Sequence, residues 1–453
     1  MPPPKQALGR RRFLKKAITA AAVAGFPAII PGSALGLNDA TPPSDRIHMG
    51  SIGVGNMGGG HLRNLLQYDE VHVVGICDLK EERRQWAKSA VDTRYGDKSC
   101  LAHQDFRELL ARKDIDAVTI ATGERWHPLI DIEAARRGKH MYSEKPFALS
   151  IAEARASRDA VLRSGVVYQF GTQQRSSNYY RFTKELVMNG RIGDLQKILI
   201  CSNGGYGYAK GRIEEQVKDV PPGIDYDMWL GPSPYHAYSD RRVTNIWMSI
   251  TDYGLGHMGG LWGIHDLDIS QWINEADNTT PISAEGTGIF HTDIRDTAFI
   301  YDIEYKYANG VICEYMDMST AKQKYEQFRQ GAMAACIVGS KGWIYVAREG
   351  MWTNPPELMR SFIGPDERHV ILSNDHKQNF FNAIRTGDRT ICTVENAAHD
   401  EMMCQMGDIA MRLKRKVRFD PVKEAFIDDP EANRRAFRSM RSPWRIDVPE
   451  ASA

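Results

Sequence analysis

Residues 45–80 read DRIHMGSIGVGNMGGGHLRNLLQYDEVHVVGICDLK, and this stretch restricts the possible folds more than any other. Ile47–Val54 is an apolar run of the kind a strand buried on both faces requires. Gly53-Val54-Gly55-Asn56-Met57-Gly58 follows, then a helical stretch from about Gly60 to Gln67. A second β-rich run, Val71–Cys77, ends at Asp78, 25 residues after Gly53. A lone GxGxxG is weak evidence; strand, glycine loop, helix, strand and terminal acid in that order are far more specific for a dinucleotide site. Gly53 allows a tight turn, Gly55 lets a pyrophosphate reach the backbone, and Gly58 lets helix and strand pack closely. The loop, with Asn56 and Met57, would deliver phosphate to a helix N-terminus, whose unpaired N–H groups and dipole attract it. Asp78 would accept hydrogen bonds from the adenosine ribose hydroxyls and repel a 2′-phosphate, so NAD is expected over NADP, although Lys80 and Arg83 are close by.

The alternation continues. DFRELLARKDIDAVTIATG reads as helix, turn and a strand over Ala117–Thr122; WHPLIDIEAARRGKHMYSEKPF reads as a helix closed by Gly138 and a strand around His140–Ser143. Ligands of such parallel sheets bind beyond the carboxyl ends of the strands. Asp78, Thr122 and Glu144-Lys145-Pro146 all fall at that edge. A lysine held there can hydrogen-bond a substrate hydroxyl and stabilise the alkoxide that precedes hydride departure, with Glu144 tuning or pairing it. Lys145 is therefore a candidate catalytic residue. The first unit is expected to end near Gly171, giving a Rossmann domain over 47–171.

A second domain is expected over 172–440, with a tail from 441. Its opening segment offers Arg175, which could clamp a polar substrate, and Tyr179 and Tyr180, which could stack on a sugar face. Further on, DYGLGHMGGLWGIHDLDISQWINE places His265 and Asp268 three residues apart on one predicted helix, so that Asp268 could orient the imidazole of a general base. His257, His265, Asp266 and Asp268 are metal-ligand types, but their spacing matches no metal motif, and no metal site is expected. Later stretches such as AACIVGSKGWIYVAREG alternate as strands of an open antiparallel sheet do, and KQNFFNAIRTGD and Val394–Leu413 read as helices.

In order and spacing, GVGNMG, Asp78, ATGERWH, GKHMYSEKPF, GIHDLDISQW and FFNAIRTGDRT resemble the glucose–fructose oxidoreductase, inositol dehydrogenase and MocA family (Gfo/Idh/MocA), over roughly residues 45–420. DYDMWLGPSPY is similar to a secreted bacterial branch of it. The resemblance implies an α/β protein: a Rossmann doubly wound parallel sheet, then an α/β domain with a large open, mostly antiparallel sheet. It implies NAD(P), a sugar or polyol substrate, and a dimer or tetramer. It places Lys145 near the nicotinamide, adds Thr122 and His127 to the cofactor contacts, and puts a histidine at the place of His265. The family often carries an aspartate four residues before that histidine; here the position is Leu261, which shifts a polar role to His257 or Asp266.

The first residues are read separately. GRRRFLKKAITAAAVAGFPAIIPGSALG has a basic start, an apolar stretch from Ala17 to Ile30 and small residues near Ala34–Gly36. The stretch is shorter than the ~20 residues a membrane span needs. Arg10-Arg11-Arg12-Phe13-Leu14-Lys15 resembles the twin-arginine export signal, with Gly9 where Ser or Thr is more usual. Residues 1–37 are thus expected to be a signal peptide, 38–46 a linker, and the mature chain periplasmic without a stable membrane anchor. Lys plus Arg number 58 against 57 Asp plus Glu, so no global basic field points to nucleic acid. Seven cysteines are scattered without a CxxC pair and read as small buried hydrophobes.

The expectation is an exported NAD(P)-dependent oxidoreductase acting on a sugar hydroxyl. An extracytoplasmic enzyme meets no obvious pool of free NAD, so the cofactor should be held tightly and regenerated in each cycle. A glycoside hydrolase working through transient C3 oxidation and elimination is the second reading. A carbohydrate-binding protein that retains NAD without turnover is the third.

Overall fold

The computed structural model describes residue 42 and residues 45–204, 211–328 and 333–446; the export-signal reading of residues 1–37 lies outside these. Two sheets organise the chain. The first has six parallel strands: β1 (Ile47–Ile52), β2 (Val71–Cys77), β3 (Leu101–His103), β4 (Ala117–Ile120), β5 (His140–Ser143) and β6 (Tyr168–Phe170). Their spatial order is β3-β2-β1-β4-β5-β6, the doubly wound arrangement whose strand order reverses beside β1. β1 is buried at five of six positions and β4 at all four, because helices cover both faces of a parallel sheet. The short β3, which the sequence does not announce, is exposed at two of its three residues and sits at the sheet edge.

The second sheet has nine strands: β7 (Leu195–Ser202), β8 (Ser283–Phe290), β9 (Ala298–Lys306), β10 (Ile312–Asp317), β11 (Ala334–Gly339), β12 (Gly342–Ala347), β13 (Gly350–Asn354), β14 (Val417–Asp420) and β15 (Ala425–Phe426). In the order β13-β12-β11-β7-β10-β9-β8-β14-β15 its pairs are antiparallel except β7 with β10. The fold is the α/β pairing of a Rossmann sheet with a mixed, mostly antiparallel one.

Two late helices tie the sheets together. His376–Thr386 starts on Asp375, whose carboxylate accepts the Lys377 and Gln378 N–H groups, and stops at Gly387 with φ +77°. Its Phe380 and Phe381 join Ile47, Met49 and Val73 in the core of the first sheet. The long helix Val394–Leu413, opened by a capping box at Thr393, is buried over most of its length. Its apolar residues share one continuous core with β4, β8 and β9. Residues 441–446, read from sequence as a tail, touch both domains: Trp444 lies edge-on to Trp126 of the first at 4.7 Å, and the Arg441 N–H donates to the Pro232 carbonyl of the second. All seven cysteines are buried and free.

Candidate active site

The carboxyl edge of the first sheet forms one wall of a cleft of about 490 Å³. Gly53 adopts φ +80°, and a Cβ there would stand 2.4 Å from the Ala121 carbonyl oxygen. A Cβ on Gly58 would stand 1.8 Å from the Gly53 carbonyl oxygen, so the helix Asn56–Leu65 can approach β1 this closely only with glycine. Gly55 precedes that helix without a side-chain cap, which leaves first-turn N–H groups open to an anion. The Arg83 guanidinium overhangs the loop, its Nη1 2.9 Å from where a Gly55 Cβ would be. Asp78 lies at the end of β2; its Oδ2 accepts the Val54 N–H and its Oδ1 the Lys80 N–H, each at 2.9 Å. Each oxygen retains a second lone pair for a ligand hydroxyl. Asn56, Met57 and Thr122 also line this wall. The residues present therefore fit a dinucleotide, which would lie along Gly53–Met57 with its adenosine ribose at Asp78.

The other wall comes from the loop before the helix Gly263–Ile273 and from the tip of β12, and Lys145 reaches across to it. The Lys145–Pro146 peptide is cis. Lys145 Nζ donates to the carbonyls of Gly260 (3.0 Å) and Leu261 (2.9 Å), leaving one N–H for a ligand. Burial lowers its pKa, against the opposing charges of Glu144 and Glu124. Burial alone would push the Glu144 carboxyl up, but the hydrogen bond and charge of His61, with Lys145 and His265, hold it at about 2. Its Oε1 accepts from His61 Nε2 and Gln173 Nε2, both at 2.8 Å. Glu144 is thus a fixed anion beside the lysine.

His265 lines the same cleft from the first turn of its helix. Among the described residues its buried Nδ1 has no partner, a costly state (about 1–3 kcal/mol) unless a ligand supplies one. Burial, then the charges of Lys145 and Arg348, keep its pKa well below the ordinary imidazole value. The ring is neutral near pH 7 and can accept a proton.

Several expectations are corrected. Asp268 does not orient His265: it is wholly buried and bonded to Arg175, Nη2 to Oδ1 at 2.5 Å and Nε to Oδ1 at 2.8 Å. Arg175 is no substrate clamp, because that guanidinium also pairs with Asp277 at 2.8 Å and is 1 % exposed. Burial and the neighbouring Asp268 raise the Asp400 carboxyl, so this knot holds its charge balance internally. Tyr180 is buried in the core and Tyr179 faces outward at 44 % exposure; neither lines the cleft. His257 opens a π-helical turn, His257–Leu261, yet stays off the cleft lining. His127 stands behind the wall, its Nε2 3.3 Å from the Thr122 carbonyl, and burial lowers its pKa to about 4. It can brace the loop that carries Thr122 but lacks direct access.

The structure also brings in residues that the sequence reading passed over. Glu124 is buried against Gly254 and Gly260, where no Cβ would fit, and its Oε2 accepts the Leu255 N–H at 3.0 Å. Arg125 lies within 4.2 Å of the Trp229 ring centroid and 4.9 Å of that of Tyr253. Gln173, Trp247, Trp262 and Arg348 complete the wall. Glu124 and Arg125 belong to ATGERWH, where spacing alone marks the terminal histidine; Arg348 stands at a hairpin turn with no local signature.

Comparison with known proteins fits this geometry. Residues 47–172 match the oxidoreductase family's NAD-binding Rossmann fold, and residues 178–446 match its C-terminal alpha/beta domain. A myo-inositol 2-dehydrogenase of Thermotoga maritima is 23% identical over 304 residues, covering 66% of this chain and 75% of its own. A glycosyl hydrolase family 109 protein of Akkermansia muciniphila is 32% identical over 217 residues, 41% of this chain and 45% of its own. The WlbA dehydrogenase of Bordetella pertussis, solved with NADH and UDP-GlcNAcA, shares the fold with a TM-score of 0.60 at 15% identity, over 83% of this chain and 99% of that one.

Proposed function

The chain belongs to the Gfo/Idh/MocA oxidoreductase family, and from that premise we propose that it oxidises a sugar or polyol hydroxyl with a tightly held NAD. One observation carries the reading: a single cleft is lined from the glycine loop and Asp78 at one end to Lys145 and His265 at the other. The nicotinamide would supply the hydride acceptor when bound. Neutral His265 takes the hydroxyl proton, and the free N–H of Lys145 stabilises the oxygen as negative charge develops on it. Glu144, held ionised by His61 and Gln173, keeps Lys145 charged despite its burial. Trp247 and Trp262 offer apolar faces to a sugar ring. The Asp78 carboxylate favours NAD over NADP by repelling a 2′-phosphate. The Arg10-Arg11-Arg12 segment supports export by the twin-arginine route to the periplasm, and the family resemblance supports a homodimer or homotetramer.

A second reading rests on the family 109 relatives: glycoside cleavage in which oxidation at C3 acidifies C2, the leaving group departs from C1 by elimination, water adds at C1 as C2 regains a proton, and re-reduction at C3 closes the cycle. The same Lys145 and His265 would serve its first step. The deciding experiment offers free sugars and nitrophenyl glycosides to the purified protein with its NAD. Rising absorbance at 340 nm with free sugars supports net oxidation; aglycone release without net NADH supports cleavage. Lys145→Ala and His265→Ala should each slow either chemistry by about a hundred- to a thousandfold. Unchanged rates in both variants overturn the site.

A further inference from the structure

Arg348, a cation of the cleft wall, has no part in the chemistry above. Arg348 is the first residue of the two-residue turn joining β12 to β13, fixed by the Ala347–Gly350 pair. It lines the cleft with Lys145 and His265, and its guanidinium sits 4.8 Å from the ring centroid of Trp262. That aromatic face steadies the side chain without neutralising it. Arg348 is exposed, its charge reaches the buried Asp266, and among the described residues it makes no ion pair with a carboxylate.

The carboxyls that could have served are committed elsewhere. Glu144 is bonded to His61 and Gln173. Glu124 is turned to the Leu255 N–H, and burial and the nearby Glu401 push it toward the neutral form. Burial likewise raises Asp266 to about 7, and its Oδ1 is 3.4 Å from Gln174 Nε2. Glu349, the other turn residue, is exposed. Arg125 also borders the cleft, but it is buried and its Nε and Nη2 donate to the Trp229 carbonyl. Lys145 is balanced by the ionised Glu144 beside it, so Arg348 is the cation an incoming anion would meet.

We propose that the substrate is an anionic sugar, bearing a carboxylate or a phosphate monoester, and that Arg348 pairs with that group. The inference rests on the sugar-oxidising reading and narrows its substrate class. A guanidinium fork matches both anions with two parallel N–H···O bonds, whereas a neutral sugar would leave the exposed guanidinium to water. Seating the anion has a second effect. Burial and Lys145 depress His265 most and the charge of Arg348 adds to them, so neutralising Arg348 relieves the smaller part of that depression.

The test is calorimetric titration of the NAD-loaded full chain with matched sets: D-glucose, D-galactose and D-mannose, their uronates and their 6-phosphates. We expect an anionic member of at least one set to bind about ten- to a hundredfold more tightly than its neutral parent. Arg348→Gln should erase that advantage, and Arg348→Lys should restore part of it. A preference for uronates identifies a carboxylate, and one for 6-phosphates identifies a phosphate. Equal binding of neutral and charged members, an advantage that survives Arg348→Gln, or no binding by any member overturns the inference. Absorbance at 340 nm in the same samples judges the parent reading separately. Neutral sugars that reduce the cofactor equally well in wild type and Arg348→Gln leave the reading standing and the inference fallen. Anion binding through Arg348 without reduction does the opposite.

Discussion

The two walls of the cleft are made by different means. The nucleotide wall is backbone: Gly53, Gly55 and Gly58 shape it by lacking side chains, and Asp78 is locked by two N–H groups. The substrate wall is side chains, drawn from Lys145, His265 and Arg348, segments more than 80 residues apart in sequence. A backbone wall tolerates almost no change at its glycines yet needs few residues to specify. A side-chain wall depends on long-range pairings, each of which can be altered singly.

Substitutions can break or sharpen that contrast. The largest effect is expected at Arg175→Met, which strips Asp268 of its partner inside the core; an uncompensated buried carboxylate should cost about 3–5 kcal/mol. Denaturant unfolding checks this, and a slowed reaction at unchanged stability would return Arg175 to the substrate wall. Gly58→Ala comes next. Its new Cβ meets a backbone oxygen that cannot yield cheaply, so a loss of about 2–3 kcal/mol and poor NAD retention are expected. Cofactor content by chromatography, with normal loading, would show that the nucleotide wall is softer than argued.

The smallest effect concerns the seam between the walls. His376 is buried, its Nε2 2.7 Å from the Phe170 carbonyl and its Nδ1 2.8 Å from Ser176 Oγ, which suits a neutral ring that donates to one and accepts from the other. Burial lowers its pKa to about 4, so between pH 6.5 and 4 the unfolded chain binds the extra proton and stability falls as pH falls. Wild type should lose about 2 kcal/mol from this group between pH 7 and 5, whereas His376→Gln should not. Stability curves of the two proteins should therefore converge on acidification. Parallel curves would remove His376 from the acid response.

The same contrast explains what could be read from the sequence. The Rossmann half was legible because glycine spacing and the acid after β2 fall within one short stretch, and both express local backbone geometry. The helices His376–Thr386 and Val394–Leu413 were legible through their periodicity and caps. The edge strand β3, three residues long, has too little pattern to show. On the substrate wall, His265 and Asp268 do share a helix as their spacing suggests, but spacing does not say that Arg175, 93 residues away, takes the aspartate. Arg348 was invisible because any hairpin turn can carry an arginine; only the neighbouring Trp262 and its place on the cleft wall distinguish it.

The anchoring of Lys145 on the carbonyls of residues 260 and 261 has a consequence for descent. A carbonyl belongs to every amino acid, so mutation at 261 can exchange an acid for leucine, or leucine for anything the cleft will hold, without untying the lysine. A change of side chain at 261 can therefore reshape the cleft while the acceptor that holds the lysine stays in place.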